Sequence, residues 1–212
     1  MSLPHPPLLV ITDRHQARLP LETVAAAAFE NGCRWLLLRE KDLPPEARRD
    51  VLNRLTRLGR QFDATVMISA DVETAKAAGV GVHLPRNGDV SAARGVLSDT
   101  ALVGYSAHDL GEAEAAARAG ADYVTLSPIF TTESKPGYGP ALGLDGLRRI
   151  ATNVSIPVVA LGGVTADTAA DCLGAGAAGV AVMGPVMRAE DPGEVVARFL
   201  SEVAAAPGGR GA

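Results

Sequence analysis

The feature that most constrains this chain is an alternation that runs without interruption from one end to the other. Short apolar runs rich in Val, Leu and Ile are each followed by a stretch carrying Ala, Glu and Arg at helical spacing. "LLVIT" (8–12) leads to a helix over 20–31, "WLLLRE" (35–40) to one over 45–60, and "TVMIS" (65–69) to a short one over 72–78. "GVHL" (81–84) precedes a helix over 90–97, "ALVGYSA" (101–107) one over 109–119, and "YVTLSPI" (123–129) one over 144–152. "PVVALGG" (157–163) feeds 166–174, and "GVAVMG" (179–184) feeds 192–206, which makes eight units. Strands that alternate with helices pair in parallel, because a parallel neighbour is reached only through a crossover of roughly a dozen residues. Eight such units predict a closed (β/α)₈ barrel, compact beside the commoner length of about 250 residues. A doubly wound open sheet is the alternative, but no GxGxxG follows the first strand to give it a dinucleotide. The glycines of "GAGAAG" (174–179) read as a helix end and a turn.

Composition narrows the function classes. With 212 residues, 47% of them hydrophobic, the chain can bury a substantial core, and the absence of a linker or low-complexity segment predicts one domain over 1–212. Residues 1–7 are expected to be extended and the tail 207–212 disordered. Twenty Lys and Arg face 24 Asp and Glu, with no long run of one sign, so neither nucleic acid nor an anionic membrane is an expected partner. "MSLPHPPLLVITDRHQ" carries no basic segment followed by a signal core, and no apolar stretch is long enough to span a bilayer, so a cytoplasmic protein is expected. Cys33 and Cys172 lack metal-ligand spacing and read as small buried thiols.

Barrel chemistry sits where strands end, because all eight following loops converge on one mouth. The polar candidates respect that polarity: Arg39, Glu40 and Lys41 end the second strand, His83 the fourth, and Ser106 and His108 the fifth. Alternation puts Arg39 and Lys41 on the face of Trp35 and Leu37, with Glu40 on the other side, and puts Ser106 and His108 together. Arg39 and Lys41 suit an anion, with a salt-bridged rim that closes the barrel as the alternative. Glu40 reads as structural, as does His83; His108 either moves protons near neutral pH or is satisfied locally.

The seventh strand ends in Gly162 and Gly163 just before a helix beginning near Thr165, and the eighth ends in Met183 and Gly184. Glycine turns at helix starts offer backbone N–H groups to an anion, and barrels often build a phosphate cradle from these two loops. The loop "SPIFTTESKPGYG" (127–139) lies beside it, with Thr132, Ser134 and Lys135 able to reach a phosphate and Pro136 and the glycines permitting a lid.

Together "LLLREK" (36–41), "GVHL" (81–84), "VGYSAHD" (103–109), "ADYVTLSPIFTTESK" (121–135), "IPVVALGGV" (156–164) and "GVAVM" (179–183) resemble the thiamine phosphate synthase and TenI superfamily over nearly the whole chain. The resemblance implies a (β/α)₈ barrel that binds a thiazole phosphate, and two activities. The synthase joins hydroxymethylpyrimidine pyrophosphate to the thiazole phosphate, with Mg²⁺ holding the pyrophosphate; the TenI-type tautomerase aromatises a carboxythiazole phosphate by proton transfer. A synthase has Ile-Asn-Asp after the third strand, the Asp binding magnesium, where this chain reads Ile68, Ser69, Ala70. Leu37 replaces a glutamine, "LPRNGD" places Arg86 and then Asp89 one residue late for the second magnesium ligand, and Gly184 replaces a serine. Asp71 and Asp89 are the carboxylates that could restore a magnesium site. These departures favour the tautomerase, an isomerase with no cofactor and no metal. His108 would then transfer the proton, Ser106 position it, and Arg39 and Lys135 offset substrate charge. The transferase with Mg²⁺ is the alternative, and a non-catalytic thiazole phosphate-binding or regulatory protein a further one. The resemblance also implies a possible homodimer.

Overall fold

The computed structural model describes residues 2–131 and 140–206, so Thr132, Ser134, Lys135 and the tail 207–212 lie outside the described residues. Eight parallel strands close into a barrel in sequence order: β1 (Leu8–Ile11), β2 (Trp35–Leu38), β3 (Thr65–Ser69), β4 (Gly81–Leu84), β5 (Val103–Ala107), β6 (Tyr123–Leu126), β7 (Val158–Leu161) and β8 (Gly179–Val182), with β8 returning to β1. The outer helices are α1 (Leu21–Glu30), α2 (Pro45–Arg60), α3 (Val72–Ala78), α4 (Val90–Val96), α5 (Leu110–Arg118), α6 (Gly143–Asn153), α7 (Ala166–Gly174) and α9 (Pro192–Ala205). The (β/α)₈ expectation is met. Two details differ from it. Several strands stop one to three residues before the apolar run does, because the chain leaves the ladder to build the mouth. A four-residue helix, α8 (Gly184–Met187), stands between β8 and α9, where the sequence carries too short a pattern to announce it.

Alternation along the strands divides the core in two. Leu8, Val10, Leu36, Leu38, Ile68, Val82, Val103 and Val124 point outward to meet the helices. Leu9, Ile11, Trp35, Leu37, Met67, Tyr123, Val159 and Ala181 fill the barrel itself. Trp35 and Tyr123 meet edge to face with ring centroids 4.9 Å apart, and the Trp35 indole N–H donates to Met67 Sδ at 3.1 Å. This filled interior supports a mouth at the strands' C-terminal ends instead of a channel.

Helix starts are fixed locally. Asp71, Asp89, Asp109 and Asp191 each accept a backbone N–H three residues on, at Thr74, Ala92, Glu112 and Glu194. Cys33 and Cys172 are buried and free, as expected, and burial pushes each thiol up to about 11. No helix among the described residues is long and apolar enough to cross a membrane.

Candidate active site

A cavity of about 580 Å³ opens at the C-terminal ends of the strands, within the range usual for small-molecule sites. Arg39, Lys41, Ser106, His108, Gly162, Gly163, Met183 and Gly184 all line it. Of the expected loop, Ser127, Pro128 and Thr131 line it too, while Thr132, Ser134 and Lys135 are among the residues not described. Ser69, His83, Arg86 and Arg188 also face the cavity. Strands four apart in an eight-strand ring stand opposite each other. Arg39, Lys41 and Arg86 therefore form a cationic wall across β2–β4, facing the glycine turns and Arg188 after β7 and β8.

The β2 end behaves as alternation requires. Glu40 turns away from the cavity and is buried, accepting from Thr12 Oγ1 at 2.7 Å and from the Arg14 backbone N–H at 3.2 Å. Arg14 in turn binds Asp42 at 2.5 Å, and with His15 holds that carboxyl well below its ordinary range. The salt-bridged rim thus exists, but it is made by Arg14, Glu40 and Asp42; no ion pair among the described residues includes Arg39 or Lys41. Burial, with Arg39's charge beside it, keeps the Lys41 ammonium below the usual lysine range.

His83 has a larger part than a purely structural reading gave it. It is buried, yet it lines the cavity. Nδ1 lies 3.0 Å from the Tyr123 hydroxyl, and Nε2 lies 3.0 Å from Ser106 Oγ and 3.3 Å from Thr125 Oγ1. Burial, reinforced by Lys41's charge, drops the ring to about 3, so it is neutral near pH 7. The neutral ring carries one proton, and whether Nδ1 or Nε2 bears it sets whether Ser106 accepts from the imidazole or donates to it; the Tyr123 O–H also lies 3.6 Å from Met67 Sδ. Gly104, paired in register with His83, leaves the room: a Cβ there would lie 2.5 Å from His83 Nδ1.

His108 is held by Glu112, one helical turn on. Glu112 Oε2 accepts from the His108 backbone N–H at 2.9 Å and lies 3.1 Å from Nδ1, while Oε1 meets Arg86 Nε at 2.5 Å. The i,i+4 spacing in "HDLGE" is the sequence signal for this pairing.

On the opposite side, Gly162 and Gly163 have φ of +92° and +67°, and a Cβ added at Gly162 would run into Pro128 and one at Gly163 into Phe130 and Thr131. The turn therefore needs glycine for packing as well as for backbone access. Thr165 caps α7, its N–H donating to Thr168 Oγ1 at 3.0 Å. At Gly184 the missing side chain is replaced by a guanidinium: a Cβ there would lie 2.5 Å from Arg188 Nη1, which donates to Gln16 Oε1.

The carboxylates that could have held magnesium are engaged elsewhere. Asp71 accepts from the Thr74 N–H at 2.9 Å and hydroxyl at 2.8 Å and pairs with Arg48 at 2.6 Å. Burial pushes Asp71 up, but these donors outweigh it and leave its carboxyl below the ordinary range. Ala70 just before it takes φ +65°, and Asp89 caps α4. No Asp or Glu lines the cavity among the described residues, nor do three His, Cys, Asp or Glu gather there as a metal site. The donors present do not suit Mg²⁺, which takes hard oxygen ligands, usually with one or two carboxylates.

A family model described as thiamine monophosphate synthase matches residues 8–186. The chain belongs to the thiamine monophosphate synthase family. Among its relatives in that family, a putative thiamine-phosphate synthase of Geobacter sulfurreducens is 41% identical over 197 residues, covering 92% of each chain. A thiamine-phosphate synthase of Roseiflexus castenholzii is 38% identical over 92% of this chain and 87% of its own. The solved thiamine phosphate pyrophosphorylase of Pyrococcus furiosus superposes with a TM-score of 0.84 at 32% identity, covering 93% of this chain and 95% of its own. Membership in this family makes the chain an enzyme of thiamine biosynthesis, and the relatives' names favour the transferase over the tautomerase expected first.

Proposed function

We propose that the chain is a thiamine-phosphate synthase, a transferase that joins a pyrimidine methyl diphosphate to a thiazole phosphate. The observation that carries this reading is a single cavity with two facing anion-attracting walls, Arg39, Lys41 and Arg86 against the glycine turns and Arg188. Two anionic reactants seated on those walls would bring their rings together between them. The thiazole nitrogen attacks the methylene carbon, the C–O bond breaks with its electron pair leaving on the diphosphate, and the new C–N bond makes the thiazolium. Gly162, Gly163 and Gly184 would seat the thiazole phosphate, with the Arg188 guanidinium as its charged partner. Ser106, 3.0 Å from the neutral His83 ring, would contact a reactant through its hydroxyl.

Incubation with both reactants should yield thiamine phosphate and diphosphate in equal amounts; no coupling with the carboxythiazole phosphate consumed instead would overturn the reading in favour of the tautomerase. That second reading draws on the His108–Glu112 pair at the cavity wall, a ready proton-transfer group. Arg188→Ala should weaken thiazole phosphate binding by about tenfold or more, the worth of one charge-assisted hydrogen bond, as read by calorimetric titration.

A further inference from the structure

We propose that the β2–β4 wall of the cavity is a diphosphate site that works without a divalent cation, Arg39, Lys41 and Arg86 supplying the positive charge. The proposal deepens the transferase reading and rests on it for the identity of the reactant, but not for the binding chemistry. Three observations carry it. Arg39 and Lys41 project from the end of one strand and Arg86 from the loop after β4, all onto the same cavity. Neither Arg39 nor Lys41 has a carboxylate partner among the described residues, and the Arg86 contact with Glu112 is through Nε. Three cations thus stand against one carboxylate, a grouping that repels itself until an anion arrives. The third observation is the fate of the acidic groups nearby: Asp71 is neutralised by Arg48 and caps α3, and Asp89 caps α4. A magnesium ion brought to this wall would meet like charge and, among the described residues lining the cavity, no carboxylate, Glu112 being held by Arg86 and His108. A diphosphate would meet guanidinium groups able to grip its oxygens in pairs, and an ammonium beside them.

Calorimetric titration of the full chain with inorganic pyrophosphate, in chelator and then in millimolar magnesium, tests this. Binding is expected in chelator and should be unchanged or weaker with magnesium, which takes up the charge the wall is built to meet. Arg86→Ala should weaken it by about tenfold or more, and the Arg86→Ala, Lys41→Ala double variant should lose it. Asp71→Asn, a control for a metal ligand, should bind pyrophosphate as the wild type does, with circular dichroism verifying that each variant is folded. Binding that requires magnesium, an Arg86→Ala variant of unchanged affinity, or loss of binding in Asp71→Asn would each overturn the proposal. Pyrophosphate bound in chelator by a protein that makes no thiamine phosphate would instead defeat the transferase reading and leave this one standing.

Discussion

Gly163→Ala is expected to lower the melting temperature by roughly 10 °C and to weaken thiazole phosphate binding by about 100-fold. The residue sits at φ +67°, where an added Cβ costs about 1–2 kcal/mol in backbone strain. That Cβ would also fall 2.8 Å from Phe130 Cβ and 2.9 Å from its carbonyl carbon, with the Thr131 carbonyl oxygen closer still. Backbone cannot swing aside as a side-chain tip can, so the β7 turn or the 128–131 segment must shift, at a further cost of about 1–3 kcal/mol. Both segments line the cavity, so the shift reaches the proposed phosphate seat directly. Gly174→Ala is the control: nothing lies within 4 Å of its Cβ position, and it ends a helix, so its melting temperature should stay within a few degrees of wild type. Thermal unfolding and titration of the two variants give the comparison. A Gly163→Ala protein that melts and binds like the wild type would show that the turn tolerates the shift and that the seat lies elsewhere.

The barrel was legible because a parallel sheet covered on both sides leaves a coarse imprint. Strands buried on inner and outer faces read as apolar runs, and "WLLL" and "GVAV" are buried at every position. Strand ends were less legible, since "PVVALGG" is apolar well beyond Leu161, where the ladder stops and the chain turns over Pro128. Helix α8 left no imprint at all: Gly184, Pro185, Val186 and Met187 make one turn, too short for periodicity.

Arg188, which lines the cavity, is the C-cap residue of that short helix and was no more legible than the helix itself. Arg39, Lys41, Ser106 and His108 could be placed because strand polarity and a period of two are enough to aim them. Glu112 needed one further step, the helical i,i+4 relation to His108, and His83 needed the pairing register. Only the register puts His83 beside Gly104, so that the glycine opens the space through which Tyr123 reaches the imidazole. Asp71 shows what spacing along the chain leaves open. One residue from the position where a synthase carries its metal ligand, it looks like a substitute in one dimension, yet a left-handed Ala70 and the start of α3 turn it to Thr74 and Arg48.

The buried imidazole sets the second large expectation, an acid weakness that begins well above the carboxylate range. In the fold His83 stays neutral until about pH 3, whereas in the unfolded chain it returns to its ordinary value of 6.5. As pH falls below 6.5 the unfolded state therefore binds a proton that the native state refuses, and stability declines towards pH 3, with a limiting slope of about 1.4 kcal/mol per pH unit. Between pH 6.5 and 4.5 this amounts to about 2 kcal/mol. Glu22, Asp42 and Asp71, whose carboxyls are held low by their partners, lose their contributions only at lower pH. His83→Gln keeps polar atoms for Tyr123 and Ser106 but has nothing to titrate. It should begin about 1–3 kcal/mol less stable at pH 7, from imperfect bonds in a closed interior, and then lose less than the wild type between pH 6.5 and 4.5. Urea unfolding of both proteins at half-unit steps across that window measures the difference, and His5, His15 and His108, present in both, cancel from it. Parallel curves would mean that the proton deficit of the native state lies on another group and that the His83 ring is not held neutral by the fold.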